Sequence, residues 1–508
     1  MSEYENNSDE NDCSSSCEES DSGSDIVVRS HRVMQILRDS DDDDDNNYFS
    51  DTEDVPDCEN IDVNLTQFTC LPPDTQYNKQ TPHVFSELPG PKHTPPGDAK
   101  PIDFFNLFFT DTLIKKMVVE TNRYVAQFLQ NLPNLKPQSR AKLWKPVTIP
   151  EMRGFIAVIL EMGITKRPTI FSYWMKGSRC IPWFAKMFAR NRFQLLLKFF
   201  HLVDNKTLAP PGHPEYDPCA RFQVLVNHAN LVFRQHYIPN QQLSIDESLV
   251  GTNAHTVIKQ YIPSKKHHQW GVKFWMLCDS LSKYCLGFFC YRGTKSKVDK
   301  DEIKEKGLGF VVAEKLLLMG NYLNKGYHLF TDNFYTSVEL ARSLYQKSTY
   351  LTGTIRRNRK LVPKEAKTVP VNEPKYFTND PVLMCSFRDK KSKNNLVILI
   401  STCSDTLNVS VTKKRGNFES IKNKPSMIHQ YNQFMGVVDE SGKMLYTYLD
   451  EQRTLKFWKK VVFAVFGRMV LNAHILYSEK NIGKKMTRLK FITSIIEDLE
   501  EKWLLRKK

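Results

Sequence analysis

The chain has 508 residues, of which 41% are hydrophobic and 11% aromatic. At roughly 100–200 residues per domain this allows about two to four units with real cores and excludes a wholly disordered polypeptide. The formal charge of +14 hides a split: residues 1–100 hold 24 acidic and 6 basic side chains, leaving 33 acidic and 65 basic in residues 101–508. Such an excess on the folded part calls for a polyanionic partner, because each phosphate neutralised by Lys or Arg releases condensed counterions. Nucleic acid is the first candidate and an anionic membrane surface the second.

The start, MSEYENNSDENDCSSSCEES, is polar and acidic and does not read as a signal peptide. No stretch reaches the roughly 20 apolar residues that span a bilayer. The longest contender, VVFAVFGRMVLNAHILY, is interrupted by Arg468 and His474 and reads as a buried amphipathic helix, so no membrane partner is expected. Eleven cysteines without a C-x-x-C pair argue against a zinc ribbon or a disulfide scaffold.

In chain order, residues 1–100 read as a disordered acidic tail. Asp41 to Asp45 form an unbroken run, and ELPGPKHTPPGDAKP closes the segment. The tail either solvates the chain or partners its basic body, with Ser40 beside the Asp run as a phosphorylation site. From Pro101, IDFFNLFFTDTLIKKMVVETNRYVAQFLQNL repeats apolar residues at three and four, the spacing of amphipathic helices. TIPEMRGFIAVILEMGI opens on Thr148 as N-cap, with Pro150 in the first turn and Glu151 three residues on. RNRFQLLLKFFHLVDN is a further helix, so residues 101–240 form an all-helical, basic module.

Near residue 241 the period changes to that of strands. QQLSIDESLVG is a strand, and GVKFWMLCD with YCLGFFCYRG forms a hairpin around the turn SLSK. The helix GFVVAEKLLLMGNYL, the strand YHLF, the helix VELARSLYQKS and the strand YLTGTIR complete the order β-β-β-α-β-α-β over residues 241–357. That order predicts a mixed sheet with helices on its faces, an α/β class. Residues 358–429 read as an inserted, β-rich subdomain, residues 430–446 as a helix returning to the core, and residues 447–508 as two long helices.

Three aspartates fall where this topology brings elements together. Asp246 lies mid-strand in LSIDESLV, where an uncompensated carboxylate costs several kcal/mol to bury. Asp332 follows YHLF at the carboxyl end, where open sheets place ligands. Asp439 lies in or beside the returning helix. Together they suit Mg²⁺, a hard cation that takes oxygen ligands. Two such ions about 3.5–4 Å apart serve an in-line phosphoryl displacement. Singly, each aspartate is equally explained as a turn former or helix cap. Strand alternation turns Glu247 away from Asp246, and turn chemistry explains Asp279.

The loop SKKHHQWGVK carries Lys265, Lys266 and Lys273 for phosphates, with His267, His268 and Trp270 for an unpaired base. The alternative is a solvated basic loop with Trp270 in the core. The paired histidines lack a nearby third ligand, so zinc is not expected there. Arg356, Arg357, Arg359 and Lys360 form a second cluster past the last strand. RDKKSKNN and KKRGNFESIKNK add charge to the insertion and fit a nuclear protein. Tyr335 reads as an aromatic packed beside the sheet.

Several runs in fixed order, LSIDESLVG, YIPSKKHHQWGVKFWMLCDS, FTDNFYTSVELARSL, LTGTIRRNRKLVP and YNQFMGVVD, resemble the core of piggyBac transposases. The likeness extends over roughly Pro101 to Lys480. It implies a ribonuclease-H-like core, interrupted by an insertion and flanked by a helical dimerisation and DNA-binding domain. Asp246, Asp332 and Asp439 then match the family's three catalytic aspartates, holding two Mg²⁺ ions (Mn²⁺ substituting). Trp458 matches a family tryptophan in the helix after the third aspartate and is assigned to nucleic-acid contact. The implied activity is metal-dependent cleavage and transfer of double-stranded DNA through hairpin ends at TTAA, by a homodimer. Two departures stand out: Gly442 occupies a position where the family often has a further aspartate, and no Cys/His-rich zinc module follows. A catalytically silent DNA- or chromatin-binding protein on the same fold is the alternative, and an RNA-processing nuclease has no supporting motif.

Overall fold

A computed structural model describes residues 67–507 apart from 74, 79–80, 97, 132–138, 264, 266, 294–299, 360, 390–395, 416–417, 452–455, 482 and 484–485. Most of the expected acidic tail, residues 1–66, and the predicted sites Lys266 and Lys360 lie outside the described residues. The sequence places residues 67–100 in that tail as well, yet described stretches within them pair with the body. Strand β1 (Thr69–Cys70) pairs with the sheet, β2 (Gly90–Pro91) pairs with β3 (Tyr237–Ile238), and the His83 backbone both donates to and accepts from the Tyr350 hydroxyl.

The helical region comprises α1 (Pro101–Phe108), α2 (Asp111–Asn131), α3 (Ile149–Ile164), α4 (Pro182–Met187), α5 (Arg190–Phe199) and α6 (Ala220–His236). Pro101 supplies a preset φ for the first turn of α1, and Asp103 accepts the Lys100 N–H at 2.8 Å. Thr148 caps α3 by accepting the Glu151 N–H. The Glu151 carboxylate is engaged by Arg192 of α5 through two 2.7 Å bonds, which locks α3 to α5.

The sheet has ten strands. Its central members are β4 (Gln242–Gly251), β5 (Lys259–Tyr261), β6 (Trp270–Asp279), β7 (Cys285–Cys290), β8 (His328–Thr331) and β9 (Tyr350–Thr354). Helices α7 (Lys300–Lys306), α8 (Leu308–Gly320) and α9 (Val338–Gln346) intervene. Strand β4 pairs antiparallel with β6 and parallel with β8, and β8 pairs parallel with β9. The mixed α/β sheet expected from the strand order is therefore present, with β5 as an additional short edge strand beside β6.

The stretch 358–429, expected as an inserted β-rich subdomain, is β-rich but largely continuous with the main sheet. Its strands β10 (Lys375–Asn379), β11 (Val382–Arg388) and β12 (Leu396–Ser401) continue the main sheet, because β12 pairs antiparallel with β9 through Gly353 and Ile400. Only β13 (Asn408–Arg415) and β14 (Phe418–Pro425) form a separate hairpin. The returning helix is two helices, α10 (Ser426–Phe434) and α11 (Val437–Thr447), interrupted at Met435 and Gly436.

Helix α12 (Phe457–Lys480) is long and apolar enough to cross a membrane, but it is buried on nearly every side between the other helices and the sheet. It is thus a largely internal helix rather than an amphipathic one. Its polar interruptions have partners: Arg468 donates to Ser441 at 2.5 Å, and Asn472 bonds both backbone groups of Cys285 in β7. Helix α13 (Arg488–Lys507) closes against α3, where Gly154 leaves the room that the Trp503 ring needs.

Trp458, expected at a nucleic-acid surface, is 1% exposed. It faces the His201 ring at 5.2 Å, while Lys459 buries its ammonium on the carbonyls of Leu197 and Lys198 at the end of α5. The basic flanks of Trp458 thus cap a helix. His201, 2% exposed and stacked on Tyr124 at 3.5 Å, is held neutral because burial depresses its pKa from 6.5 to about 3. Below pH 6.5 the unfolded chain takes up a proton that the native state refuses, so stability falls as pH falls. A loss of about 2–3 kcal/mol is expected from this residue over the two pH units below 6.5. Urea denaturation at several pH values should show that part of the slope disappear in His201→Gln.

Candidate active site

The site begins with strand register. Parallel pairing sets Ile245 opposite Thr331, so Asp246, midway along β4, and Asp332, just past the end of β8, lie side by side. Asp332 Oδ1 accepts the Phe334 N–H at 3.0 Å, and its carbonyl accepts from Thr336 N and Oγ1. The Thr336 hydroxyl also meets Thr331 Oγ1 at 2.8 Å. This turn needs Gly353 on β9, since a Cβ there would lie 2.2 Å from Thr336 Oγ1 and 2.6 Å from Thr331 Oγ1.

Asp439 arrives on the first turn of α11. Ser244 of β4 donates to the Met435 carbonyl at 2.8 Å, and Ser280 donates to Phe434 at 3.0 Å, fixing the α10–α11 break over the sheet. Lys265, on the loop from β5 to β6, then joins the carboxylates: its Nζ lies 2.8 Å from Asp439 Oδ1 and 3.5 Å from Asp246 Oδ2. The structure therefore brings Asp246, Asp332 and Asp439 to one end of the sheet, with the Lys265 ammonium between Asp246 and Asp439.

The electrostatics follow from that crowding. Burial, followed by the charge of Glu247, raises the Asp246 carboxyl well above its usual range. Burial and then Glu247 raise Asp332 to about 6. Burial opposes the charge on Lys265, but Asp246, Glu247 and Asp439 outweigh it and hold the ammonium protonated. Burial likewise opposes ionisation of Glu247, yet Lys265 and Lys273 together lower its pKa. Glu247 had been read as turned away from the site. Its charge instead reaches both aspartates, and its N–H donates to Asp246 Oδ1 at 2.8 Å.

The expected phosphate contacts divide. Lys265 is committed to the aspartates rather than to a free loop surface. Lys273 lies 3.9 Å from the Trp275 ring centroid and acts on Glu247. His267 and His268 both meet the Glu451 carboxylate, at 2.9 and 2.5 Å. Trp270 is 48% exposed and sits 4.7 Å from Tyr261, with the Lys259 ammonium over its ring. Because β8 and β9 run parallel, Arg356, Arg357 and Arg359 emerge at the same end of the sheet as Asp332. Arg357 also donates to the Leu396 carbonyl. Tyr335 is packed edge-on against Trp275, and Asp279 accepts five hydrogen bonds around its turn. Trp458 belongs to the helical core described above. Glu451 and the cationic role of Lys265 escaped sequence reasoning, since their partners lie more than 170 residues away.

A protein-family model described as transposase IS4 matches residues 100–474. PiggyBac transposable element-derived protein 5 of Homo sapiens is 23% identical over 435 residues, covering 82% of this chain and 79% of the relative. PiggyBac transposable element-derived protein 3 of Homo sapiens is 25% identical over 422 residues, covering 78% and 67%. Among solved structures, a cryo-EM piggyBac transposase synaptic complex with hairpin DNA superposes with a TM-score of 0.71 at 22% identity, over 83% of this chain and 84% of that one. This supports the ribonuclease-H-like fold.

Removing the ammonium should leave the carboxylates repelling one another. Lys265→Ala is expected to destabilise the metal-free protein by about 2–4 kcal/mol, the scale for breaking a partly buried ion pair. Added Mn²⁺ should recover most of that loss. Urea denaturation with and without Mn²⁺ checks both.

Proposed function

The chain belongs to the transposase IS4 family, and we propose that it is a piggyBac-like DNA transposase, or a host-retained derivative of one, that cleaves and transfers DNA strands at the Asp246, Asp332 and Asp439 centre. The observation that carries this reading is the convergence of Asp246 and Asp439 on Lys265, with Asp332 beside Asp246 in the strand register. Burial and neighbouring negative charge raise the pKa of Asp246 and Asp332, a crowding that a cation relieves, and a lysine ammonium occupies the place between Asp246 and Asp439. The donor set is all oxygen at its centre, which fits Mg²⁺ or Mn²⁺.

Asp246 and Asp332 would hold a cation from the sheet and Asp439 from α11. Divalent cations bound there would activate the attacking oxygen and stabilise the leaving oxygen of an in-line displacement. The protein's own part is to fix carboxylate spacing through the β4–β8 register and the Ser244–Met435 bond. With a cation held by the aspartates, the Lys265 ammonium would be free to meet a phosphate of the scissile strand. Arg356, Arg357 and Arg359 at the same end would track the backbone, and Trp270 with Tyr261 offers a stacking surface for an unpaired base. The excess of 65 basic over 33 acidic side chains beyond residue 100 supplies the long-range attraction.

Purified protein with linear and supercoiled DNA in Mg²⁺ or Mn²⁺ should yield nicks and hairpin ends. Asp332→Ala should lower cleavage by at least about 100-fold, since even residues that only support a metal ligand are worth 10–100-fold, while salt-sensitive DNA binding persists. Binding without cleavage in both proteins would favour the silent binding module instead. Gly442 sits one turn after Asp439 on α11, and a Cβ there would meet nothing within 4 Å. Gly442→Asp should therefore fold normally and tighten Mn²⁺ binding by roughly three- to tenfold, by adding a ligand charge. Isothermal titration measures it.

A further inference from the structure

A second cluster of metal-ligating groups lies beside the aspartates but takes no part in the proposed cleavage. His267 and His268 are consecutive on the loop between β5 and β6, where two imidazoles alone make a poor site. The third group is Glu451, 183 residues beyond His268, in the segment after α11. Nε2 of His267 lies 2.9 Å from Oε2 of Glu451, and Nε2 of His268 lies 2.5 Å from Oε1. One donor atom from each residue lies within 4.8 Å of the other two.

The surroundings hold these groups in place. A Cβ on Gly251 would fall 2.3–2.7 Å from atoms of the His268 ring, so the imidazole occupies space that only glycine leaves. Tyr446 backs the pair, its ring 4.4 Å from His267 and its hydroxyl bonded to the Leu249 carbonyl. A cavity of about 360 Å³, lined by Gly251, Thr252, Asn253, Trp270 and the two histidines among others, opens onto the cluster and admits solvent as a further ligand.

Two imidazole nitrogens and one carboxylate with an open position form a donor set for a borderline cation, in contrast to the all-oxygen aspartate site. Tetrahedral Zn²⁺ bound at about 2.0–2.1 Å from nitrogen sets ligand atoms roughly 3.3 Å apart. Each histidine already reaches a different oxygen of Glu451 within that distance, and one donor atom from each residue lies within 4.8 Å of the others, so a small closing movement brings the three to one ion. We propose that His267, His268 and Glu451 bind Zn²⁺ at a site distinct from the aspartates, fastening the loop that carries Lys265 to the segment after the helix that carries Asp439. Lys265 lies two residues before His267, so zinc occupancy sets the anchor from which its ammonium reaches Asp246 and Asp439.

The experiment titrates chelator-stripped full-length protein with Zn²⁺ against a chromophoric competitor, and with Co²⁺ to read four-coordinate d–d absorption. Wild type should take one equivalent of Zn²⁺ tightly, and Asp246→Asn should keep it. His268→Ala and the near-isosteric Glu451→Gln should each weaken binding by at least about tenfold and lose the Co²⁺ signal, with near-ultraviolet circular dichroism confirming that they fold. Failure of wild type to bind Zn²⁺ overturns the proposal. So does equal binding by Glu451→Gln, or loss of the equivalent in Asp246→Asn, which would locate the ion at the aspartates. Nuclease failure with zinc binding intact would count against the proposed cleavage alone.

Discussion

Carboxylates gathered at a half-buried edge repel one another, and that repulsion must be met by positive charge. Asp246, Asp332, Asp439 and Glu247 crowd the carboxyl end of β8, and the ammonium of Lys265 is the cation that meets them. Assembling such a cluster is costly for stability, because each charge must be desolvated. The proposed function gives that cost a purpose, since the same carboxylates would bind a divalent cation and the surrounding hydrogen bonds would hold them for it.

The supporting structure works through three positions of contact. Parallel pairing of β4 with β8 makes Asp246 and Asp332 neighbours. Ser244 and Ser280 hold the break between α10 and α11, so Asp439 approaches from above the sheet. Helix α12, buried on nearly every side, ties α11 through Arg468 and β7 through Asn472. Its burial explains why Trp458 packs on His201 rather than facing solvent, and why the neighbouring Lys459 caps α5.

Sequence reasoning reached the features that depend on local pattern. The change of period near residue 241 and the apolar YHLF run revealed the central strands, and the Thr148–Glu151 spacing marked a helix start that the structure shows capped. What depends on distant pairing was not legible. Nothing in VLMCSFRD or NLVILISTCS says that these strands join β9 instead of forming their own unit. The interruption at Gly436 was hidden inside one apolar run. Lys265 looked like any residue of a basic loop, because Asp439 lies 174 positions away. Alternation along a flat strand turned Glu247 from Asp246, yet at short range its charge, after burial, still raises both neighbouring carboxyls. The paired histidines signalled a ligand set in want of a third member, and only folding supplied Glu451.

The central claim is that the three aspartates jointly hold divalent cations in place of the lysine. Anomalous scattering from crystals of the full chain soaked in Mn²⁺ tests it most directly. The account predicts two neighbouring manganese peaks among the oxygens of Asp246, Asp332 and Asp439, with the Lys265 ammonium moved aside. Saturating Mn²⁺ that leaves those oxygens without a peak and Lys265 still bridging Asp246 and Asp439 would contradict it.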